Sequence, residues 1–232
     1  MYYITGDLHR TFDKVYDLCE NQSTSLDDVL IVLGDAGINY YLDYSDRTLK
    51  EELSRLPITL FCVHGNHEER PFNLNYDEMM WNEGVVYYEE QYPNLLFAKD
   101  GEIYNIDGNK CVVLGGAYSV DKNYRLSYGL PWFCDEQPSD EIKKYAEKKL
   151  SEIDWTVDFV FSHTVPYDYM PTWNFIPGLN QSEVDKSTET WLQEIENKLS
   201  YREWFGGHFH VDAKEGPITL MFDEVTELMW FY

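Results

Sequence analysis

The sequence predicts an α/β fold built on a largely parallel sheet. Three observations predict it: continuous apolar runs of strand length, helical periodicities between them, and the order β-α-β-α-β over the first third of the chain. "YYIT" reads as the first strand, after which Phe12, Val15, Tyr16 and Cys19 recur at helical spacing. "DVLIVLG" is the second strand, of the kind buried on both faces. A helix is expected from Asp46 to Leu56, where Pro57 ends it, and "ITLFCVHGN" is the third strand.

The middle of the chain changes character. "NLLFAKD" and "EIYNIDGNKCVVLGG" are short strands, with "IDGNK" a hairpin tip. A helix is expected from Ser139 to Ile153, capped by Ser139, with Ile142, Tyr145, Ala146, Leu150 and Ile153 on one face. "VDFVFSH" is another buried strand. Trp191, Ile195 and Leu199 mark one more helix, "YREWFGGHFH" is a strand running into glycines, and "PITLMFDEVTELMW" closes the chain as strands. Residues 117–138 and 164–186 are long and irregular, the signature of lids or binding loops or of a rigid aromatic cover. With no repeat and no low-complexity linker, residues 1–232 are expected to form a single domain.

Composition narrows the function. Hydrophobic residues make up 44% and aromatic residues 16%, which is enough for a packed core. The net charge of −24, from 42 acidic and 18 basic side chains, argues against duplex nucleic acid or an anionic membrane as partner. A small anionic substrate remains compatible if metal ions supply local positive charge. No stretch reads as a bilayer span, and the chain starts directly as a strand. Cys62 and Cys111 lie in apolar runs and read as buried reduced thiols, so a cytoplasmic protein is expected.

The candidate chemistry sits at strand ends. Asp7 and His9 follow the first strand in "GDLH", Asp35 the second in "GDAG", and Asn66 and His67 the third in "GNHE". His163 follows "DFVF", and His208 and His210 close "GGHFH". In a parallel sheet these positions share the carboxyl edge, where open α/β sheets bind ligands. Imidazole and carboxylate donors suit divalent ions of the Mn, Fe, Zn and Ni group. An Asp-x-His pair in extended backbone presents both side chains on one side. His64, by contrast, suits a supporting contact or a strand-end cap, and Glu68 the start of a helix.

The five segments "GDLH", "GDAG", "GNHE", "SH" and "GHFH", in this order from Asp7 to His210, resemble the calcineurin-like metallophosphoesterases. The resemblance implies a four-layer α/β/β/α sandwich of two mixed β-sheets flanked by helices, with two divalent ions at the strand carboxyl ends. It implies that Asp7, His9, Asp35 and His210 hold one ion, that Asp35 bridges, and that Asn66, His163 and His208 complete the other. Manganese is the first expectation, with iron, zinc or nickel compatible. His67 would contact substrate and act as general acid while a hydroxide shared by the ions attacks phosphorus.

The sequence also departs from that family's protein phosphatases. Their second motif continues to an Asp-Arg pair that orients the histidine and grips phosphate, whereas "GDAGINY" carries neither. A phosphate-binding cation must come from elsewhere: Arg10, Arg70, or Lys122 and Arg125 in the aromatic segment, with the last two preferred. The expected substrate is a small or medium phosphate ester, possibly a nucleotide. The alternatives are a non-catalytic metal-binding scaffold of the same fold and a nuclease acting on short oligonucleotides.

Overall fold

The computed structural model describes residues 1–228, so Met229 and Trp230 of the last expected strand lie outside the described residues. The elements run β1 (Tyr2–Thr5), α1 (Asp13–Gln22), β2 (Val29–Val32), α2 (Tyr44–Leu53), β3 (Thr59–Cys62), β4 (Asp77–Trp81), β5 (Gly84–Tyr88), β6 (Leu95–Ala98), β7 (Ile103–Ile106) and β8 (Asn109–Leu114). Then follow α3 (Lys122–Tyr128), α4 (Asp140–Ser151), β9 (Phe159–Ser162), α5 (Ser187–Glu196), β10 (Glu203–Gly206), β11 (Ala213–Glu215), β12 (Ile218–Leu220) and β13 (Val225–Glu227).

Two mixed sheets result. The first has the order β13-β1-β2-β3-β6-β5-β4, the second β11-β12-β10-β9-β8-β7. β1, β2, β3 and β6 are parallel, as are β8, β9, β10 and β12, and antiparallel strands close the edges. The two-residue side-chain period of a strand builds the layers. In β2, Leu30 and Val32 face outward onto Val15 and Cys19 of α1 and Leu53 of α2. Val29 and Ile31 face inward, into a core shared with Phe159, Phe161 and Phe205 of the second sheet. The outer face of that sheet packs Val112, Val160 and Trp204 against Ala146 and Leu150 of α4 and Trp191 and Ile195 of α5. The molecule is therefore the four-layer sandwich that the resemblance implies.

Local chemistry explains most boundaries. Ser139 Oγ accepts from the Ile142 amide at the start of α4, and Asp43 caps α2 through the Ser45 amide. Asp107 and Gly108 both take positive φ (51° and 83°) at the tip between β7 and β8, the twist a two-residue hairpin requires. The β4–β5 hairpin lies outside the sequence expectation because its turn, Asn82–Glu83, lacks the usual glycine although both residues take positive φ (48° and 68°). Tyr16, expected on the buried face of α1, is exposed, and Phe12 just ahead of the helix is buried in its place. The segment 117–138, irregular by sequence, contains α3.

Candidate metal centre

Every expected ligand lies just past a strand end, and the backbone there is unusual. His9, Asp35, His208 and His210 all have φ between 43° and 68°, the left-handed region that non-glycine residues avoid. Such conformations cluster where function over-determines them. Glycines make room for the side chains: a Cβ on Gly65 would collide with Asp35 Oδ1, and one on Gly207 with Asp7 Oδ1.

Asp7 anchors the first group. Its Oδ1 accepts from the His208 amide (2.8 Å), while Oδ2 is buried with no hydrogen-bond partner among the described residues. Two imidazole nitrogens converge on that oxygen: His210 Nε2 at 3.2 Å and His9 Nε2 at 3.5 Å. These two nitrogens stand 2.8 Å from each other. Ligands at right angles on an ion about 2.1 Å away are ~3 Å apart, so the spacing is that of atoms sharing a cation. Burial would raise the Asp7 pKa, but His210 and His9 outweigh it and hold the carboxylate well below its usual range. Burial likewise opposes a charge on His9, yet Asp7 and Asp35 raise its pKa.

The second group centres on His163, which is fully buried. Its Nδ1 donates to the Leu33 carbonyl (2.8 Å), which fixes the ring and turns Nε2 inward. That nitrogen meets Asn66 Oδ1 at 2.8 Å and Asp35 Oδ1 at 3.6 Å. Asn66 is oriented from behind: its Nδ2 donates to Ser119 Oγ (2.8 Å), and the Ser119 side chain and amide both bond Glu136. Asn66 Oδ1 and His163 Nε2 thereby face each other, an arrangement in which both could ligate one cation. Asp35 links the groups, with Oδ2 3.9 Å from His9 Nε2. His208 stands at the margin, its ring edge-on to His163 at 5.0 Å; burial and neighbouring His163 push its pKa down to about 3, which keeps it neutral and able to ligate.

His67 lies across the opening. Its amide donates to Asp35 Oδ1 (2.8 Å) and its Nδ1 is 4.0 Å from Asp35 Oδ2, so the ring comes within ligand range of His9 and Asp35. Arg125 Nη2 reaches the same ring, 2.8 Å from Nδ1 and 3.2 Å from Nε2. Asp121 Oδ1, itself without a hydrogen-bond partner, stands 3.8 Å from Nε2, while Oδ2 accepts from Arg125 Nε (2.7 Å). Burial lowers the His67 pKa, and Arg125 adds to that against the pull of Asp35.

Of the four expected cations, Arg125 alone contacts a residue of this centre. Arg10 turns away to Asp46, Ser45 and the Gly37 carbonyl, pinning the loop after β2 to α2. Arg70 is buried against Asp100 and the carbonyls of Asp135 and Glu136. Lys122 sits over the Trp132 ring, 4.0 Å from its centre. His64 is buried, with both ring nitrogens unpartnered, and lines a small cavity with Arg70, Asp100 and Tyr145 instead of joining the ligands. Glu68 begins no helix: its two oxygens accept from the Gly65 and Gly37 amides (3.2 Å each), bracing two ligand loops, and burial with nearby Asp35 raises its pKa to about 8. Asp121, Ser119 and Glu136 belong to no motif of the sequence; their one signal there is an aromatic segment with a charged i, i+4 pair.

A search of curated proteins gives no match. One solved structure aligns with a TM-score of 0.50 at 12% identity, covering 95% of this chain and 88% of its own, which shows the fold. The protein TT1561 of Thermus thermophilus aligns at 0.47 with 14% identity over 95% and 87% of the two chains. A phosphopantetheinyl hydrolase from Mycobacterium tuberculosis aligns at 0.48 with 14% identity over 95% and 87%. The family model for the calcineurin-like phosphoesterases matches residues 2–212, a span that takes in both groups of ligands, and the chain belongs to that family.

Proposed function

We propose that the chain is a hydrolase of small or medium phosphate esters that works with two divalent cations. Asp7, His9, Asp35 and His210 would hold one, and Asp35, Asn66, His163 and His208 the other, with Asp35 common to both. The observation that carries this reading is Asp7 Oδ2, a buried carboxylate oxygen with no hydrogen-bond partner and two imidazole nitrogens turned toward it. The donors are oxygen and imidazole nitrogen without thiolate, a set open to manganese, iron, zinc and nickel, with manganese the first to try. When bound, the ions supply Lewis-acid charge and an acidified water at the reacting phosphorus.

The chain's own residues supply the rest. Arg125 is the cation placed to meet a phosphate oxygen, because among the described residues Nη2 meets the His67 ring alone while its other nitrogens hold Asp121, Tyr40 and the Pro131 carbonyl. A phosphate entering between them turns Nη2 from the ring to the ester. The anion then raises the proton affinity of His67, which takes up a proton from solvent and, as imidazolium, gives it to the leaving oxygen. Asp121 Oδ1 steadies the ring from the side of Nε2. Retention of all these groups favours an enzyme over a scaffold. The net charge of −24 favours a small ester over duplex nucleic acid, and the unpaired thiols, three of them buried, fit a reducing cytoplasm.

The test is hydrolysis of p-nitrophenyl phosphate and bis-p-nitrophenyl phosphate with added Mn²⁺. Turnover of either that disappears in Asp35→Ala supports the reading, and the faster ester tells phosphatase from phosphodiesterase. Metal-independent turnover, or full activity in Asp35→Ala, would contradict it.

A further inference from the structure

Beside the ligands lies a cavity of about 370 Å³, within the range of small-molecule sites. Its floor is the metal centre, with His9, Asp35, Asn66, His208 and His210 exposed to it. Its walls have another chemistry: Val120, Phe175, Ile176, Leu179, Val184 and Phe209. Phe209 joins the two regions, because the sequence "GHFH" sets it between His208 and His210. Phe175 stacks on the Phe209 ring (6.3 Å, 18°), and Asn174 Nδ2 donates to the Phe209 carbonyl (2.9 Å). The segment 170–186 is thereby tied to the strand end that presents the ligands.

The charges in the cavity restrict what can enter. Lys186 is the one lysine or arginine among the described lining residues, and its Nζ donates to the Gln181 carbonyl (2.9 Å). Asp121, Asp185 and Glu189 also line it. Beyond the metal centre, a second phosphate would meet Asp185 and Glu189, with Asp121 already paired to Arg125 and Lys186 the one lining cation. An uncharged apolar group would meet aromatic and aliphatic side chains and gain by leaving water.

We infer that this cavity is a subsite for the uncharged, apolar alcohol portion of the ester, so that the substrate is a phosphate ester of such an alcohol and not a nucleoside polyphosphate. The inference rests on the phosphoesterase reading for the chemistry, but the subsite itself is a matter of binding. Phe175, Ile176 and Leu179 set the preference.

Hexyl and ethyl phosphate test it, since their leaving alkoxides have similar basicity and differ in apolar length. The expected result is a kcat/KM for hexyl phosphate about ten- to a hundredfold above that for ethyl phosphate. The ratio should fall toward unity in Ile176→Asn/Leu179→Asn. Calorimetric binding of hexylphosphonate and ethylphosphonate to the Mn²⁺-loaded wild-type protein gives the same comparison without turnover. If the phosphonates differ as expected but neither ester is hydrolysed, the subsite stands, and the phosphoesterase reading falls only if p-nitrophenyl phosphate and bis-p-nitrophenyl phosphate are not hydrolysed either. Equal affinity for the two phosphonates, or tighter binding of ADP than of hexylphosphonate, would overturn the subsite whatever the turnover.

Discussion

At the scale of single residues, the centre is a set of groups that would be costly to bury without a cation. Asp7 and Asp35 are almost wholly enclosed, and the imidazoles around them favour their charged forms against the effect of burial. A metal ion binds deprotonated side chains and so displaces any protons they carry. His9, whose pKa its carboxylate neighbours raise above the ordinary histidine value against the effect of burial, is one site from which a proton leaves. Binding of Mn²⁺ should therefore release protons near neutral pH, and its apparent affinity should tighten as pH rises through and beyond the usual histidine range. Calorimetry in buffers of different ionisation enthalpy measures both, and binding without proton release would count against these ligands. Arg125 gives a second prediction. It holds the His67 pKa down, so Arg125→Ala should raise it and move the corresponding limb of the pH–rate profile to higher pH. Loss of the phosphate contact proposed for Arg125 should also lower kcat/KM by about ten- to a hundredfold.

At the scale of elements, strand ends deliver the candidate ligands, and the segment around α3 delivers what surrounds them. The strand ends were legible in the sequence because apolar runs stop at glycine followed by Asp, Asn or His, and the sheet edge gathers such positions. The contribution of α3 was not legible. Segment 117–138 carries turn residues and aromatics, and nothing in their spacing says that Arg125 and Asp121 meet His67, more than fifty positions earlier. Nor does sequence show that Arg10, adjacent to a ligand, turns its guanidinium to Asp46, because the positive φ at His9 and Arg10 redirects the chain there. The relay from Glu136 through Ser119 to Asn66 depends on the same segment. Removing it with Ser119→Ala should loosen Asn66 and weaken one metal site by roughly ten- to a hundredfold while the other is less affected. Metal titration followed by calorimetry would show two classes of site in the variant, and unchanged affinities would remove the relay from the account.

At the scale of the molecule, two mixed sheets bring the ends of β1, β2 and β3 from one and β9 and β10 from the other to a common edge. Neither sheet alone supplies the centre: Asp7 and Asp35 come from the first, His163, His208 and His210 from the second. Bound ions would therefore tie the two halves of the sandwich together and offset part of the charge of −24. Chelation of metal by EDTA should lower the melting temperature, an effect that scanning calorimetry would read and that Asp35→Ala should largely lose.

The measurement that tests the central claim most directly is the metal content of the purified, Mn²⁺-equilibrated protein beside that of Asp35→Ala, each with its circular dichroism spectrum. The account predicts about two ions per wild-type chain, as a two-metal centre requires, and a marked loss in the variant with the fold retained. No bound metal in the wild type, or an undiminished content in a folded Asp35→Ala, would contradict it.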